Sequence, residues 1–337
     1  MTDSTRAGAA GAADYRPRRR VPDPEQLAPV RTAVLDVGSN TVHLLAADVR
    51  RGAAPIAVAR YRQIVPLAEL LDRDGAITEM GAARLIAVIA EAASVAWQAH
   101  ADELLAFATS AIREARNGDA VVQRIRRSTG VDLEILDGID EARLTFLAAR
   151  RWFGWAGGRL LVLDIGGGSL EMSTGAAEEP EVALSLPLGA GRLTRDWLPD
   201  DPPAPRQLRA LDRYVTDQLE AHRAALLTPG QPDLAVATSK TFRSLARIGG
   251  AAPYRDGMHA RRRLTYSAAR HIRRDVASLS AAQRARLPGV SPARASQLAA
   301  GAVVAEAAMR LFGIKELHIC PWALREGVIL RRLDWTE

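Results

Sequence analysis

The sequence predicts an α/β protein built from two similar halves, and three observations carry that prediction. First, Val34-Leu35-Asp36-Val37-Gly38-Ser39-Asn40-Thr41 comes back as Val162-Leu163-Asp164-Ile165-Gly166-Gly167-Gly168-Ser169, 128 positions further on. Both copies read as an apolar strand, an Asp, a Gly turn, short polar side chains and a second apolar run. Second, each half shows a run of strands and then alternates helix with strand, which indicates a mixed sheet with covering helices. Third, 337 residues give room for two domains that each bury a core.

Residues 1–30, with Ala/Gly repeats and Pro17, Pro22 and Pro24, lack periodicity and read as a disordered arm. A strand is expected at 32–37, a hairpin partner at 42–49 and a further apolar stretch at 54–60. Thr78 and Glu79 open a helix in which Leu85, Ile86, Ile89, Ala93 and Trp97 recur at helical spacing. A short strand over 104–108 ends at Thr109-Ser110. Asn117-Gly118-Asp119 reads as the cap of a helix to about 128, and 133–136 is another strand.

The second half gives strands near 160–165, 169–174 and 181–187. A helix follows over 205–225, then a strand over 234–237 and a helix from 240. The proline-rich 198–205 is a surface loop. A long helix over 294–312, a strand over 316–319 and a helix from Trp322 complete the chain.

Composition narrows the class. The chain is 48% apolar and 25% charged, as soluble globular proteins are. No run approaches the roughly 18 uninterrupted apolar residues of a membrane span. No apolar stretch follows the basic Arg16–Arg20, so no secretory signal is read. One cysteine, Cys320, excludes an internal disulfide framework and a cysteine-based zinc cluster. Cytoplasm is the expected compartment. The net charge of +6 suits an anionic partner. Nearly all the positive charge is Arg, however, which genome composition produces as readily as function does. No nucleic-acid recognition motif is present.

A buried strand that ends in a carboxylate and a glycine turn supplies an oxygen for a cation and backbone N–H groups for a phosphate. Two such turns suggest half-domains facing each other across one anionic ligand. Four segments then occur in order: Asp36-Val37-Gly38-Ser39-Asn40-Thr41, Ala108-Thr109-Ser110-Ala111-Ile112-Arg113, Gly138-Ile139-Asp140-Glu141-Ala142-Arg143 and Asp164-Ile165-Gly166-Gly167-Gly168-Ser169-Leu170-Glu171. On these the chain resembles the exopolyphosphatase / guanosine pentaphosphate phosphohydrolase family of the actin, Hsp70 and sugar-kinase superfamily. The match runs over about 31–335, as a short form without the extra C-terminal helical domain of longer members.

The resemblance implies two actin-like (ribonuclease H-like) domains with mixed sheets around an interdomain cleft. The boundaries expected are 31–141 for the first domain, with a C-terminal return at 316–337, and 142–315 for the second. It implies hydrolysis of a terminal phosphoanhydride by water, with magnesium or another divalent cation as cofactor and potassium as a further candidate. Inorganic polyphosphate or guanosine pentaphosphate would be the substrate, and the chain would form a homodimer as many relatives do. A kinase or ATPase of the same superfold and a non-catalytic regulator are the competing classes.

Residue by residue, the resemblance makes Glu141 the general base, a role suited to a carboxylate that orients a water and takes its proton. The plain alternative is first-turn helix charge. Asp164 and Glu171 would hold the cation; Asp36 would share it or only fix its turn. Ser39, Asn40 and Thr41 on one side, and Gly166, Gly167, Gly168 and Ser169 on the other, would grip phosphate oxygens. Alternation puts Ser169 and Glu171 on one face. Arg113 would fork onto phosphate, or be one ordinary surface arginine among many. Arg143 would serve similarly or pair with Asp140. His43 stands where the second half has Glu171 and reads as a packed residue. Lys240 replaces a glycine of the family's pattern, which favours polyphosphate over a nucleotide. The turn Leu188–Arg192 precedes a helix whose N–H groups would meet anion.

Overall fold

The computed structural model describes residues 29–334. The expected arm lies outside them, except for its last two residues. In chain order the elements are β1 (Val30–Val37), β2 (Thr41–Val49), β3 (Ile56–Ile64), α1 (Glu79–Gln98), β4 (Glu103–Ala108), α2 (Ser110–Arg113), α3 (Gly118–Thr129), β5 (Leu133–Ile135) and α4 (Gly138–Phe153). There follow β6 (Leu160–Ile165), β7 (Leu170–Gly175), β8 (Val182–Leu186), α5 (Ala190–Trp197), α6 (Pro205–Leu227), β9 (Leu234–Ala237) and α7 (Ser239–Ile248). The last are β10 (Arg263–Thr265), α8 (Tyr266–Ala277), α9 (Ala281–Arg284), α10 (Leu298–Leu311), β11 (Glu316–Ile319) and α11 (Leu324–Asp334).

The strands form two sheets on one plan. The first has the order β3-β2-β1-β4-β5 and the second β8-β7-β6-β9-β11, with β10 added at the β11 edge. In each, the first three strands are an antiparallel meander and the next two are parallel to the first. This is the ribonuclease H-like order twice over, and the two-domain α/β class follows from it.

The register repeats as well. Asp36 lies opposite His43 on β1 and β2, and Asp164 lies opposite Glu171 on β6 and β7. Each turn is closed by one backbone bond, Gly38 N to Thr41 O at 3.1 Å and Gly166 N to Ser169 O at 2.9 Å. Beside them, Ala108-Thr109-Ser110 and Ala237-Thr238-Ser239 end the parallel strands β4 and β9, 129 positions apart.

Apolar periodicity places the covering helices. In α1 the face of Ala82, Leu85, Val88, Ile89, Ala92 and Ala96 is buried on the first sheet, while Trp97 is 53% exposed. By length and composition α1 passes as a membrane-crossing helix, a match the search for uninterrupted apolar runs did not register. Its packed face is that of a core helix. Helix α10 is buried from Leu298 to Met309 at the centre of the second half.

The structure corrects four expectations. Strand β11, expected to return to the first domain, is the fifth strand of the second sheet, paired with β9. The return is made by α11 instead. Its Ile329 packs with Val34, Leu45 and Phe107, and its Leu330 with Phe146 and Trp322. Burying one such side chain contributes roughly 1.5–3 kcal/mol, and here the two faces of one helix tie the halves together. Gly327 permits it, because a Cβ there would stand 2.0 Å from Leu144 O of α4.

Second, the expected boundary at 141/142 cuts through α4, which is continuous and packs on β7, β8 and α11. Third, Asn117 holds the N-cap position of α3 but makes no side-chain cap bond. Its side chain closes on the backbone of Ile77, accepting from N at 2.8 Å and donating to O at 2.9 Å. Fourth, the helix expected from 294 begins at Leu298, leaving Arg294 in a separate 3-10 turn. Elements β10 and α8 fall in a stretch where the sequence reading placed none.

Candidate active site

The two hairpin turns face each other at the base of a cleft of about 570 Å³. The cleft is lined by Asp36, Gly38, Ser39, Asn40, Thr41, Glu141, Asp164, Gly166, Gly167, Ser169 and Glu171. Every expected site residue is therefore on its wall save Arg113 and Gly168.

Four carboxylates gather there under strain. Asp164 accepts a short hydrogen bond from Thr238 Oγ1, and Glu171 Oε1 accepts from Ser185 Oγ at 2.9 Å. Burial pushes Glu171 up to about 7, with the charge of Asp164 adding to it. Burial also raises Asp164 and takes Asp36 up to about 6, against the pull of Arg325 at 3.4 Å. Glu141 is held well above the usual carboxylate range, by burial first and by Glu171 second. Several acids sharing one poorly hydrated space are costly to ionise, and a cation relieves that cost.

Glu141 stands in the first turn of α4, whose N-cap Asp137 accepts from Ile139 N, and it is buried in the cleft wall. Its partner is Arg113, which donates from Nη1 to Glu141 Oε1 at 2.5 Å and to Leu136 O at 2.7 Å. Arg113, expected on phosphate, thus holds the Glu141 carboxylate in place from Nη1. Arg143 pairs with Asp140 at 3.2 Å, on the exposed side of the helix.

The glycine turn is the meeting point of the two halves. Gly167 and Gly168 are pressed against the first hairpin. A Cβ on Gly167 would lie 2.5 Å from Asn40 Nδ2, and one on Gly168 2.4 Å from Ser110 Oγ. Their carbonyls, with that of Gly166, accept from the N–H groups of Gly189, Ala190 and Arg192. Those are the first N–H groups of the α5 end, so the anion site expected there is filled by the chain itself. Asn40 exchanges two amide hydrogen bonds with Gln297, at 2.7 and 3.3 Å, and so bridges the halves at the cleft wall. Ser39 Oγ lies 3.2 Å from Ser110 Oγ.

The rest of the cleft wall is basic. Arg62, Lys240, Arg243, Arg247, Arg262, Arg294 and Arg325 line it, Arg325 reaching Asp36. Burial and the neighbouring Arg62 bring Arg294 down to about 10, and Nε of Arg243 and of Arg294 is buried without a hydrogen-bond partner. His43 is driven down to about 3 by burial and by Arg325 and Arg62, and is neutral as the packed reading requires. Lys240 donates to Gly289 O at 2.9 Å. The sequence reading missed Arg62, Arg243, Arg294 and Arg325, because 43 of the 45 basic residues are arginine and residue type marks none of them out. Thr238 and Ser239 had a visible signal in the repeated Ala-Thr-Ser. Ser239, at φ +68°, holds a left-handed conformation uncommon for a side-chain-bearing residue, beside Asp164.

Two ribonuclease H-like lobes closing on a cleft that holds both buried acids and arginines define a protein that handles phosphoanhydrides. A family model described as the Ppx/GppA phosphatase family matches residues 46–335. The chain belongs to that family. It is 54% identical over 305 residues to Exopolyphosphatase 1 of Mycobacterium leprae, a match covering 90% of each chain. It is 29% identical over 317 residues to Exopolyphosphatase 2 of Mycobacterium tuberculosis, covering 90% of this chain and 99% of that one. Among solved structures, an exopolyphosphatase from Cytophaga hutchinsonii superposes with a TM-score of 0.82 at 24% identity, over 91% of this chain and 99% of that one, which bears on the fold.

Proposed function

We propose that the chain is a metal-dependent exopolyphosphatase that removes orthophosphate from the end of inorganic polyphosphate by attack of water. The observation that carries this is one cleft that holds a cluster of buried acids, with Glu141, and seven cationic side chains along its wall. A polyanion lies along the cationic wall, and its last phosphoanhydride reaches the acids. Glu141, oriented by Arg113, takes the proton of the attacking water. The water oxygen bonds to the terminal phosphorus, and the bridging oxygen leaves with the shortened chain.

The donor set suits magnesium. Asp164 and Glu171 would hold it, with Asp36 near, and their raised carboxyls are those that a divalent charge would bring back to the ionised form. Among the described residues no three His, Cys, Asp or Glu side chains converge as direct ligands. The mode that fits is therefore one or two carboxylates, with water and phosphate oxygens completing the shell. Bound there, the ion would neutralise charge on the phosphate oxygens.

Tyr254 is an aromatic side chain at the cleft, and its ring already carries the guanidinium groups of Arg243 and Arg262, at 5.4 and 4.9 Å. That argues against guanine stacking there and for polyphosphate over guanosine pentaphosphate. A cytoplasmic location and a homodimer belong to the same proposal; light scattering tests the second.

The deciding experiment is phosphate release with Mg²⁺ from short and long polyphosphates, guanosine pentaphosphate and ATP in parallel. Polyphosphate should be the preferred substrate, and Glu141→Gln should lose roughly 100-fold or more. Equal activity in that variant removes the proposed base. Release from guanosine pentaphosphate alone transfers the assignment to it, and release from nothing favours a regulatory binding protein.

A further inference from the structure

Behind the hairpins lies a second cavity, of about 440 Å³. It shares Ser39, Ser110 and Gly167 with the main cleft, so these residues are a common wall. The wall is thin and made of small groups: two serine hydroxyls 3.2 Å apart, set against glycines with no side chain. It is also a seam, with Ser39 and Ser110 from the first half and Gly167 and Gly168 from the second. The cavity's own lining carries three arginines, Arg73, Arg192 and Arg195, and two acids, Asp72 and Glu114. Arg192 is engaged with Glu114 and with Gly168 O at 2.8 Å, and Arg195 is exposed and paired with the adjacent Asp196 at 2.7 Å.

The exopolyphosphatase reading, on which this inference rests, creates a problem of traffic. A chain that enters along the arginines is cut at its inner end. The freed orthophosphate then lies between the hairpins and the uncut remainder, which fills the way it came. Either the chain leaves after every cut, or the product leaves elsewhere.

We propose that the second cavity is the exit chamber for orthophosphate, reached through the partition of Ser39, Ser110, Gly167 and Gly168. The ligand class is a small tetrahedral oxyanion. The hydroxyls present hydrogen bonds at the partition, and beyond it the three arginines outnumber Asp72 and Glu114, leaving the lining positive by one charge. Opening needs a serine rotamer change or a slight parting of the two halves along their seam.

Plugging the chamber tests this. Ala115 lines the second cavity but not the main cleft, so Ala115→Phe should obstruct release without touching the acids. On long polyphosphate the steady-state rate should fall roughly threefold or more, with the first turnover unchanged and a burst of orthophosphate developing. On tripolyphosphate, whose pyrophosphate remnant clears the front, the rate should hold. Equal slowing on both substrates, no slowing, or a slowed first turnover overturns the proposal.

Arg195→Glu is the second arm, on an exposed residue whose side chain bonds only a neighbour's. The added orthophosphate needed to halve the long-chain rate should rise roughly threefold or more; an unchanged value overturns the proposal. If the parent protein releases nothing from any polyphosphate, the substrate reading itself has failed and this inference with it. An active parent with indifferent variants sinks the exit chamber alone.

Discussion

At the end of β1, Asp36 faces a neutral His43 and an arginine; at the end of β6, Asp164 faces Glu171 and two hydroxyls. The turns differ in the same sense. Gly38-Ser39-Asn40 carries side chains that reach across to Ser110 and Gln297, whereas Gly166-Gly167-Gly168 carries none and is reached. One backbone plan, used twice, thus serves two ends. The second half concentrates negative charge and supplies a bare surface; the first supplies the polar side chains that fit against it. Duplicated architecture fixes where side chains stand, and the side chains chosen at matched positions decide what each copy does.

Substitutions at matched positions should separate the halves. The largest contrast is expected in activity. Asp164→Asn should cost on the order of a hundredfold or more, because it removes a carboxylate from the proposed cation site. Asp36→Asn should cost about tenfold, since Arg325 already offsets its charge. Steady-state phosphate release across a Mg²⁺ titration measures both. Equal losses would mean that the ion is shared evenly and the halves are not specialised.

A smaller contrast concerns packing. Gly168→Ala places a methyl group 2.4 Å from Ser110 Oγ, whereas the nearest atom to a Cβ on Gly38 is 3.4 Å away. Gly168→Ala should lose about 1–3 kcal/mol in urea denaturation, and Gly38→Ala should stay within about 1 kcal/mol of the parent.

Two pH-dependent effects are opposite in sign. Burial and Asp164 raise Glu171 from 4.5 to about 7 in the folded chain. The stability this gives is full below the unfolded value and lost as pH rises through about 7. Burial and Arg325 lower His43 from 6.5 to about 3. Its contribution is present above 6.5 and lost as pH falls towards 3. Melting curves without divalent cation should therefore show Glu171→Gln gaining on the parent as pH rises from 4.5 to 7. His43→Gln should gain as pH falls below 6.5. Parallel slopes would contradict the opposite directions in which burial moves these two matched groups.

The sequence by itself determined the local pieces, the paired Asp-and-glycine hairpins and most strands and helices, while the resemblance carried on four short motifs singled out Glu141, Asp164 and Glu171, which line the cleft. These are written in short windows, where alternation, apolar spacing and glycine have direct conformational meaning. Tertiary structure decided which partner each piece found. Strand β11 joined the second sheet, because its four residues carry no label for a sheet and the free edge of β9 was there to pair. Arg113 went to Glu141, Asn40 to Gln297, and the N–H groups before α5 to the glycine carbonyls, each contact crossing tens to hundreds of residues. Which arginines of 43 enter the cleft was settled in the same way. A guanidinium reads alike wherever it stands, and only the folding of distant segments around one space gives some of them a common task.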